Sequence, residues 1–447
     1  MPTQVIFEER LIYLAEKRQA LTFEQTLKAI LTTNAIVWYA DGNKHQLHLD
    51  DVVGVSIAED SHDRMPCLIV NAYPLVQWGK FSVKRQRILR EYKFACPNIE
   101  VRTRWIQAIN NTLRGFPVDA ICQPPRLQIL LNPISGKKQA REIFAQVRPL
   151  FERSHLLFTV IDTFSAKDTR DFLHKIALEK IDTLVIVGGD GTVHEAIDCL
   201  MSRDDWQSAI EKTIGIIPAG TGNGLCKTLL EDSGEPYDPV SAAFLIAKGK
   251  KQPCDIIMTE QNNRRGYSFL SLSWGLVSDV DIESEKLRFL GSLRFDLYAL
   301  MRVCFLQTYR GRFSFVPHPD CNYPLTKVTK QDDEWQIIED DFILFWAMNT
   351  AWAAHDLKAA PYANLCDGAM DILLIRKGAT RRQVLLAFLR CAKGEHISLP
   401  YVEYYKVRRF HLEPLTQRGI LVLDGEQLDY SPVQLEVIPG LARMMSA

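Results

Sequence analysis

The rhythm of hydrophobic and polar positions changes twice along the chain. Up to about residue 120, short alternating apolar runs dominate, at 35–39, 52–57 and 67–72, parted by turn signals such as Asp41-Gly42-Asn43. Alternation of period two predicts strands of a small antiparallel sheet or barrel. One helical stripe closes the stretch: Val101, Trp105, Ile106, Ile109 and Leu113 recur at helical spacing over 100–113, with Trp105 as the plug. A linker at 116–126 carries Pro117, Pro124 and Pro125. Beyond it, apolar strands at 127–131, 158–161, 184–187 and 214–217 are each followed by a helical pattern, at 139–151, at 169–178, from Thr192 to Met201, and after Asn223. Strands alternating with helices predict a parallel sheet covered on both faces. After about residue 250 strands dominate again, at 267–272, 313–317, 342–348, 370–375, 406–412, 420–422 and 433–438. Two helices interrupt them, one over 282–308 and broken near Gly291, the other over 380–392. The stripe Val384, Leu385, Phe388 and Leu389 of the second is expected to pack on the core rather than line a lipid. The pattern therefore divides the chain into a β-rich module at 1–120, an α/β domain at 125–250 and a strand-rich domain at 251–447.

Three of the predicted α/β strands end in glycine-rich turns: Asn132-Pro133-Ile134-Ser135-Gly136-Lys137, Gly188-Gly189-Asp190-Gly191-Thr192 and Pro218-Ala219-Gly220-Thr221-Gly222-Asn223. Turns at the carboxyl ends of parallel strands gather bare N–H groups and helix N-termini, which attract phosphate. Three such turns in one domain point to a nucleotide, although none matches the Walker A loop or the dinucleotide fingerprint. Gly188, Gly189 and Gly191 are expected to free the backbone angles of a sharp turn. A carboxylate in such a place repels phosphate, so Asp190 needs another task. It would suit a base or positioning group for a nucleophilic hydroxyl, or a partner for a metal ion. The plainer alternative is an Asp that only turns the chain.

Composition narrows the field. The chain has 447 residues, is 47% hydrophobic and 24% charged, and carries a net charge of -1. That is a globular composition with no general field toward nucleic acid or membrane. No uncharged run approaches the roughly 20 residues that span a bilayer. The ten cysteines form no CxxC pair and no zinc spacing, so reduced thiols and a cytoplasmic location are expected. Charge is uneven locally. Lys80, Lys84, Arg85, Arg87, Arg90 and Lys93 stand against Glu91 alone. This run reads either as a solvated hairpin or as a peripheral contact with anionic membrane. Residues 330–341 are rich in Asp and Glu and read as a solvated loop.

The first module, strand-rich and closed by one helix with a Trp, resembles a pleckstrin-homology-like domain. Residues 127 to 438 resemble the sphingosine kinases, within the wider diacylglycerol-kinase-like catalytic domains. The stretches LLNPISGK, VIVGGDGTVHEAI and IIPAGTGNGL carry the wider resemblance. The narrower one rests on Ser273-Trp274-Gly275 and the run through Asp279, Asp281, Glu283 and Glu285 to Lys286, with Leu287-Arg288 and Leu293-Arg294-Phe295. Thr308-Tyr309-Arg310-Gly311-Arg312 and Asp424-Gly425-Glu426 add to it. The resemblance implies an α/β nucleotide domain joined to a β-sandwich lipid domain, and an ATP- and Mg²⁺-dependent kinase for a sphingoid base. It implies Asp190 as catalytic base, and Asp281 as reader of the sphingoid head with Gly188, Gly189 and Gly191 beside the substrate. Asn132, Thr163, Glu195, Gly220, Thr221, Gly222, Arg288, Arg294, Asp424, Gly425 and Glu426 would contact ATP. It names no metal ligands. Asp281, Glu285 and Arg288 would share one face if a single helix carried them. Two family arginines are missing, with Ile134 after Asn-Pro, and Ser165 and Ala166 after Thr163; Lys137 or Lys167 could compensate. Ceramide or diacylglycerol are alternative acceptors, although neither neutral lipid would need Asp281. The first module is expected to tether the enzyme to anionic membrane and to take no part in chemistry.

Overall fold

The computed structural model describes residues 4–14, 27–40, 43–58, 65–77, 85–136, 138–284, 293–319 and 335–446. In the first module the strands are β1 (Val5–Leu14), β2 (Leu27–Thr32), β3 (Ala35–Ala40), β4 (Asn43–His48), β5 (Val52–Ile57), β6 (Cys67–Ala72), the short pair β7 (Leu75–Gln77) and β8 (Arg85–Arg87), and β9 (Arg90–Ala95). Seven of these described strands form one antiparallel sheet in the order β4-β3-β2-β1-β9-β6-β5. Helix α1 (Ile99–Leu113) closes it, started by the Asn98 side chain, which accepts from the Val101 N–H at 2.8 Å. Trp105 is buried in its core, edge-on to Phe7 at 5.3 Å. This is the layout of a pleckstrin-homology-like domain.

The α/β part runs β10 (Arg126–Leu131), α2 (Ala140–Arg153), β11 (Leu157–Asp162), α3 (Ala166–Lys175), β12 (Thr183–Gly188), α4 (Asp190–Met201), α5 (Trp206–Ile210), β13 (Thr213–Pro218), α6 (Gly224–Asp232) and α7 (Pro239–Lys248). The strands pair in parallel as β11-β10-β12-β13. β12 and β13 are buried along their whole length, which is why they read as unbroken apolar runs. On one face α2 and α7 bury Phe144, Val147, Leu150 and Phe244; on the other α4 and α6 bury Val193, Ile197, Leu225 and Leu229.

The last part comprises β14 (Lys250–Gln261), β15 (Arg264–Ser268), β16 (Ser271–Gly275), α8 (Leu276–Ser284), α9 (Leu293–Cys304), β17 (Tyr309–Pro317), β18 (Gln336–Met348), β19 (Met370–Arg376), α10 (Arg381–Cys391), β20 (Glu403–Pro414), β21 (Leu421–Leu423), β22 (Glu426–Leu428) and β23 (Val433–Ser446). No break separates it from the α/β sheet. β23 returns to pair in parallel with β13 at Ile214 and Met444, and lies antiparallel to β14 from Lys250 to Glu260. Fourteen described strands thus form one sheet across the boundary near residue 250. The aromatic core of the sandwich lies beyond it, with Phe313, Phe345 and Phe410 fully buried.

Several expectations change. The strand expected at 267–272 is two, because the N–H groups of Phe269, Leu270 and Ser271 turn away from a ladder and point at the Asp424 carboxylate. Residues 339–341 belong to β18, not to a loop. Cross-strand pairs hold them, Glu339 with Arg310 and Arg312, Asp340 with Arg376 and Asp341 with Lys377. Residues 320–334 lie outside the described part. α8 ends at Ser284 and α9 begins at Leu293; Glu285 and Arg288, expected on the face of Asp281, lie outside the described residues. On α10, Val384 is buried and Leu385 and Phe388 are partly packed, but Leu389 is exposed, so the stripe only partly faces the core. No described helix is long and apolar enough to cross a membrane.

The basic run is also corrected. Arg87 is not a solvated or membrane-facing cation. Its guanidinium bonds Glu235 of the α/β part at 2.5 and 2.9 Å, Asp51 at 2.7 Å and the Tyr73 carbonyl at 2.6 Å, and lies 3.8 Å above the Phe244 ring. Arg85 donates to the Gly234 carbonyl at 3.2 Å. Lys80 and Lys84 lie outside the described residues. The first module is docked on the α2–α7 face through this run.

Candidate active site

The three glycine-rich turns meet at the ends of β10, β12 and β13. The Asn132 N–H donates to Val187 O at 3.1 Å, and its side chain donates to Thr192 Oγ1 at 3.2 Å. The first turn is thereby tied to the second. The second and third touch backbone to backbone. A Cβ on Gly220 would stand 2.4 Å from the Gly189 Cα, and one on Gly189 would stand 3.0 Å from the Gly222 carbonyl oxygen. None of Gly188, Gly189 and Gly191 has a positive φ. The expected reason for these glycines is therefore wrong: at Gly189 the need is close approach of two chains, not an unusual backbone angle.

That contact sets the place of Asp190. It is the first residue of α4, 7% exposed, and its carboxylate crosses to the start of α6. It accepts from the Gly224 N–H at 2.7 Å and more weakly from the Leu225 N–H at 3.4 Å. Burial pushes its pKa up to about 7; the two N–H donors oppose this, and the charge of Asp424 adds to it. A carboxylate that gains and loses a proton near neutrality suits a general base. An Asp that only turned the chain would need no burial across two helix starts.

Two buried polar atoms on the lips of these turns have no partner. They are the Oγ1 of Thr163, at the end of β11, and the Oδ1 of Asn223, whose Nδ2 donates to the Gly220 carbonyl at 2.8 Å. Leaving such groups unpaired costs about 1–3 kcal/mol each. Both fit a site whose ligand brings hydroxyls, ring nitrogens or water, as a nucleotide does. Asn223 was not singled out in the sequence; its place in the third turn was the available signal. Ser165, where an arginine was missing, caps α3 by accepting from the Asp168 N–H at 3.2 Å. Ile134 is exposed on the first turn.

The other expected residues divide. Glu195 is half-buried, with its pKa raised by burial and then by Glu426, so these two carboxylates are neighbours. Asp424 and Gly425 form the two-residue turn between β21 and β22, with φ of 49° and 90°. Two positive values in succession mark the tight hairpin turn that Asp-Gly favours. Asp424 itself is closed off. It is 3% exposed and accepts from Ser268 Oγ, from the N–H groups of Phe269, Leu270 and Ser271, and from His194. It has no capacity left for a nucleotide; within this loop the exposed Gly425 and Glu426 have. Thr221 is exposed and Gly222 lies beside Asp190. Arg288 lies outside the described residues, as does the side chain of Arg294. Asp281 stands on α8, half-buried. Asp279, to which the sequence reading gave no role of its own, is buried and bonded by Tyr309 Oη at 2.6 Å, with Arg302 3.8 Å away. Burial raises its pKa. It ties α8 to β17 and α9, and so fixes the element that carries Asp281. Among the described residues no group of three or more His, Cys, Asp or Glu is assembled to hold a metal ion.

The diacylglycerol kinase catalytic domain family matches residues 126–259, and the YegS C-terminal NAD kinase beta sandwich-like domain matches 321–446. Sphingosine kinase 2 of Arabidopsis thaliana is 34% identical over 374 residues, covering 74% of this chain and 77% of its own. Human sphingosine kinase 1 is 33% identical over 361 residues, covering 74% of this chain and 94% of its own. Among solved structures, a putative diacylglycerol kinase from Bacillus anthracis superposes with a TM-score of 0.57 at 22% identity, over 74% of this chain and 98% of its own. That structure shares the fold. With the glycine-rich turns, Asp190 and the sandwich arranged as described, the relatives identify the lineage: the chain belongs to the sphingosine kinase family.

Proposed function

We propose that the protein transfers the terminal phosphoryl group of ATP to the primary hydroxyl of sphingosine or a related long-chain base. The observation that carries this is Asp190: a buried carboxylate with a near-neutral pKa at the meeting point of two glycine-rich turns. ATP would lie along the three turns, with Thr163 and Asn223 finding their missing partners and Gly220, Thr221 and Gly222 lending N–H groups. Mg²⁺ would neutralise phosphate oxygens of the nucleotide. Asp190 takes the hydroxyl proton as the oxygen attacks. The Gly224 N–H holds the carboxylate in place for that transfer. Gly188, Gly189 and Gly191 would let the lipid head approach the backbone, and Asp281 would hold its ammonium group.

A cavity of about 30 Å³ lies between α10 and the sheet, walled mainly by apolar side chains, among them Leu344, Trp346, Leu373, Phe388 and Cys391, with His396 also in its lining. It has the lining a hydrocarbon tail wants. It is far too small for a long chain as it stands, so the tail would have to widen it. Peripheral attachment to membrane would run through exposed apolar residues of α9, the turn after it and α10, such as Leu300, Phe305 and Leu389, rather than through Arg87.

Purified protein with labelled ATP and a panel of sphingosine, phytosphingosine, ceramide and diacylglycerol tests the reading. Turnover of the amines alone is expected. Equal turnover of ceramide or diacylglycerol would replace the proposed acceptor. Asp281→Ala is expected to lower kcat/KM for the lipid roughly ten- to hundredfold, chiefly through KM, because a charge-assisted contact is worth about 1.5–3 kcal/mol. An equal loss toward ATP would show that Asp281 supports the nucleotide site and reads no amine.

A further inference from the structure

We infer that His194 is a positioning residue which, paired with Asp424, tunes the catalytic base by cancelling a neighbouring buried charge. The inference rests on Asp190 as that base. His194 lies one helical turn after Asp190 on α4, so the two side chains share a face. Its Nδ1 stands 2.9 Å from Asp424 Oδ2. Asp424 belongs to the hairpin of the strand-rich part and is buried among four further donors, Ser268 Oγ at 2.7 Å and the N–H groups of Phe269, Leu270 and Ser271 at 3.1, 3.1 and 2.8 Å. Each donor favours the ionised form, so Asp424 stays a carboxylate. A buried charge needs a counter-charge. Among the described residues, His194 is the only basic group in contact with it.

The surroundings fix the sign. Besides Asp424, His194 faces Asp198 on its own helix and Glu426 on β22, and it faces Glu195. Glu195 in turn meets Thr169 and Arg170 of α3. Asp190 faces Asp424, and from α6 and the segment after it Cys226 and Tyr237. β15 and β16 contribute only the Ser268 hydroxyl and backbone N–H groups. The groups pressing on His194 are thus mostly acidic, and its pKa is raised despite burial. Asp424 pushes the pKa of Asp190 up. A cation at His194 opposes that push and keeps Asp190 ionisable at neutral pH. The same pair pins α4 to the break between β15 and β16, from which the chain runs on into α8 and Asp281. One contact therefore sets both the position and the acidity of the base.

The test is the pH profile of kcat/KM for wild type, H194Q and H194K. Glutamine keeps a donor for Asp424 and removes the cation; lysine keeps a cation at every working pH. H194Q is expected to move the acid limb up by about one pH unit, so that the rate falls about tenfold below the limb and little above it. H194K should leave the limb in place or lower it. A uniform loss at all pH values in both variants, or an unmoved limb in H194Q, overturns the inference and leaves His194 a structural pin. A second readout does not depend on turnover. The carboxyl ¹³C resonance of Asp190, assigned by its loss in D190N, should titrate about one unit higher in H194Q. If H194Q does not fold, the wild type still reports: the Asp190 resonance should show a second inflection as His194 loses its proton, and a single inflection overturns the inference. Wild-type kcat in D190N would remove Asp190 as base, while the ¹³C titration would still decide whether His194 sets its acidity.

Discussion

Asp190→Asn should lower kcat by about 10²–10⁴-fold and, in the same protein, raise the melting temperature at neutral and alkaline pH. The rate loss follows from removing the group proposed to take the hydroxyl proton. The stability gain follows from linkage. In the unfolded chain an Asp loses its proton near 3.8; in the fold Asp190 does so near 7. Between those values the native state holds more protons than the unfolded state, so stability falls as pH rises through the window. A rise of about three pH units corresponds to at most about 4 kcal/mol once the group is fully ionised. Asparagine is spared that cost and still offers an oxygen to the Gly224 N–H. Melting curves of both proteins from pH 4 to pH 9 should therefore diverge upward through the window. A constant difference would mean that Asp190 does not titrate there. Wild-type kcat would remove it as the base, and loss of ATP binding would assign it to the metal.

Much of this site could be read from the sequence because its parts are local. The apolar runs of β12 and β13 are unbroken, since both faces of those strands are covered, that of β10 is interrupted only by Gln128, and a glycine-rich turn follows each. Asp190 stood out because a carboxylate in a phosphate-binding turn is chemically odd. Asp424-Gly425 between apolar runs reads as a tight hairpin turn, and it is one. What was not legible depends on partners far along the chain. The break after Ser268 exists because Asp424 draws three consecutive N–H groups out of the ladder. Arg87 looked solvated among other basic residues because Glu235 lies 148 positions later. Local pattern carries the hydrophobic stripe of an element but not the identity of the buried group that will answer a charge. The glycines show a subtler limit: their presence marked the turns, but the reason at Gly189 was a neighbouring backbone that only the fold brings there.

Glu235→Ala should destabilise the protein by on the order of 3–5 kcal/mol, the usual effect of removing one partner of a buried ion pair. The Arg87 side chain is 9% exposed and that of Glu235 6%. Without Glu235 the guanidinium keeps Asp51, 30% exposed, as its remaining carboxylate. The seam is wider than this pair. Lys248 Nζ donates to the carbonyls of Leu49 and Val52 at 2.8 and 3.0 Å, and burial pushes its pKa down to about 8. Val53 and Tyr73 share an apolar cluster with Phe144, Val147 and Phe244. Gly54 is pressed so close to α2 that a Cβ would stand 2.2 Å from the Arg153 carbonyl oxygen. A chain starting near Pro124 would strip this cover from α2 and α7, so it should aggregate or lose activity even on detergent-dispersed sphingosine, contrary to an independent tether. Three variants separate charge from packing. Gly54→Val should weaken docking without touching an ion, Glu235→Ala should weaken it through the stranded Arg87, and the pair Arg87→Met with Glu235→Leu should recover most of the loss, because apolar replacements of both partners leave no charge behind. Thermal melts and limited proteolysis of residues 1 to 120 read all three. A truncated chain that stays soluble and fully active, with an unchanged melting temperature in Glu235→Ala, would return the module to the role of a detachable tether.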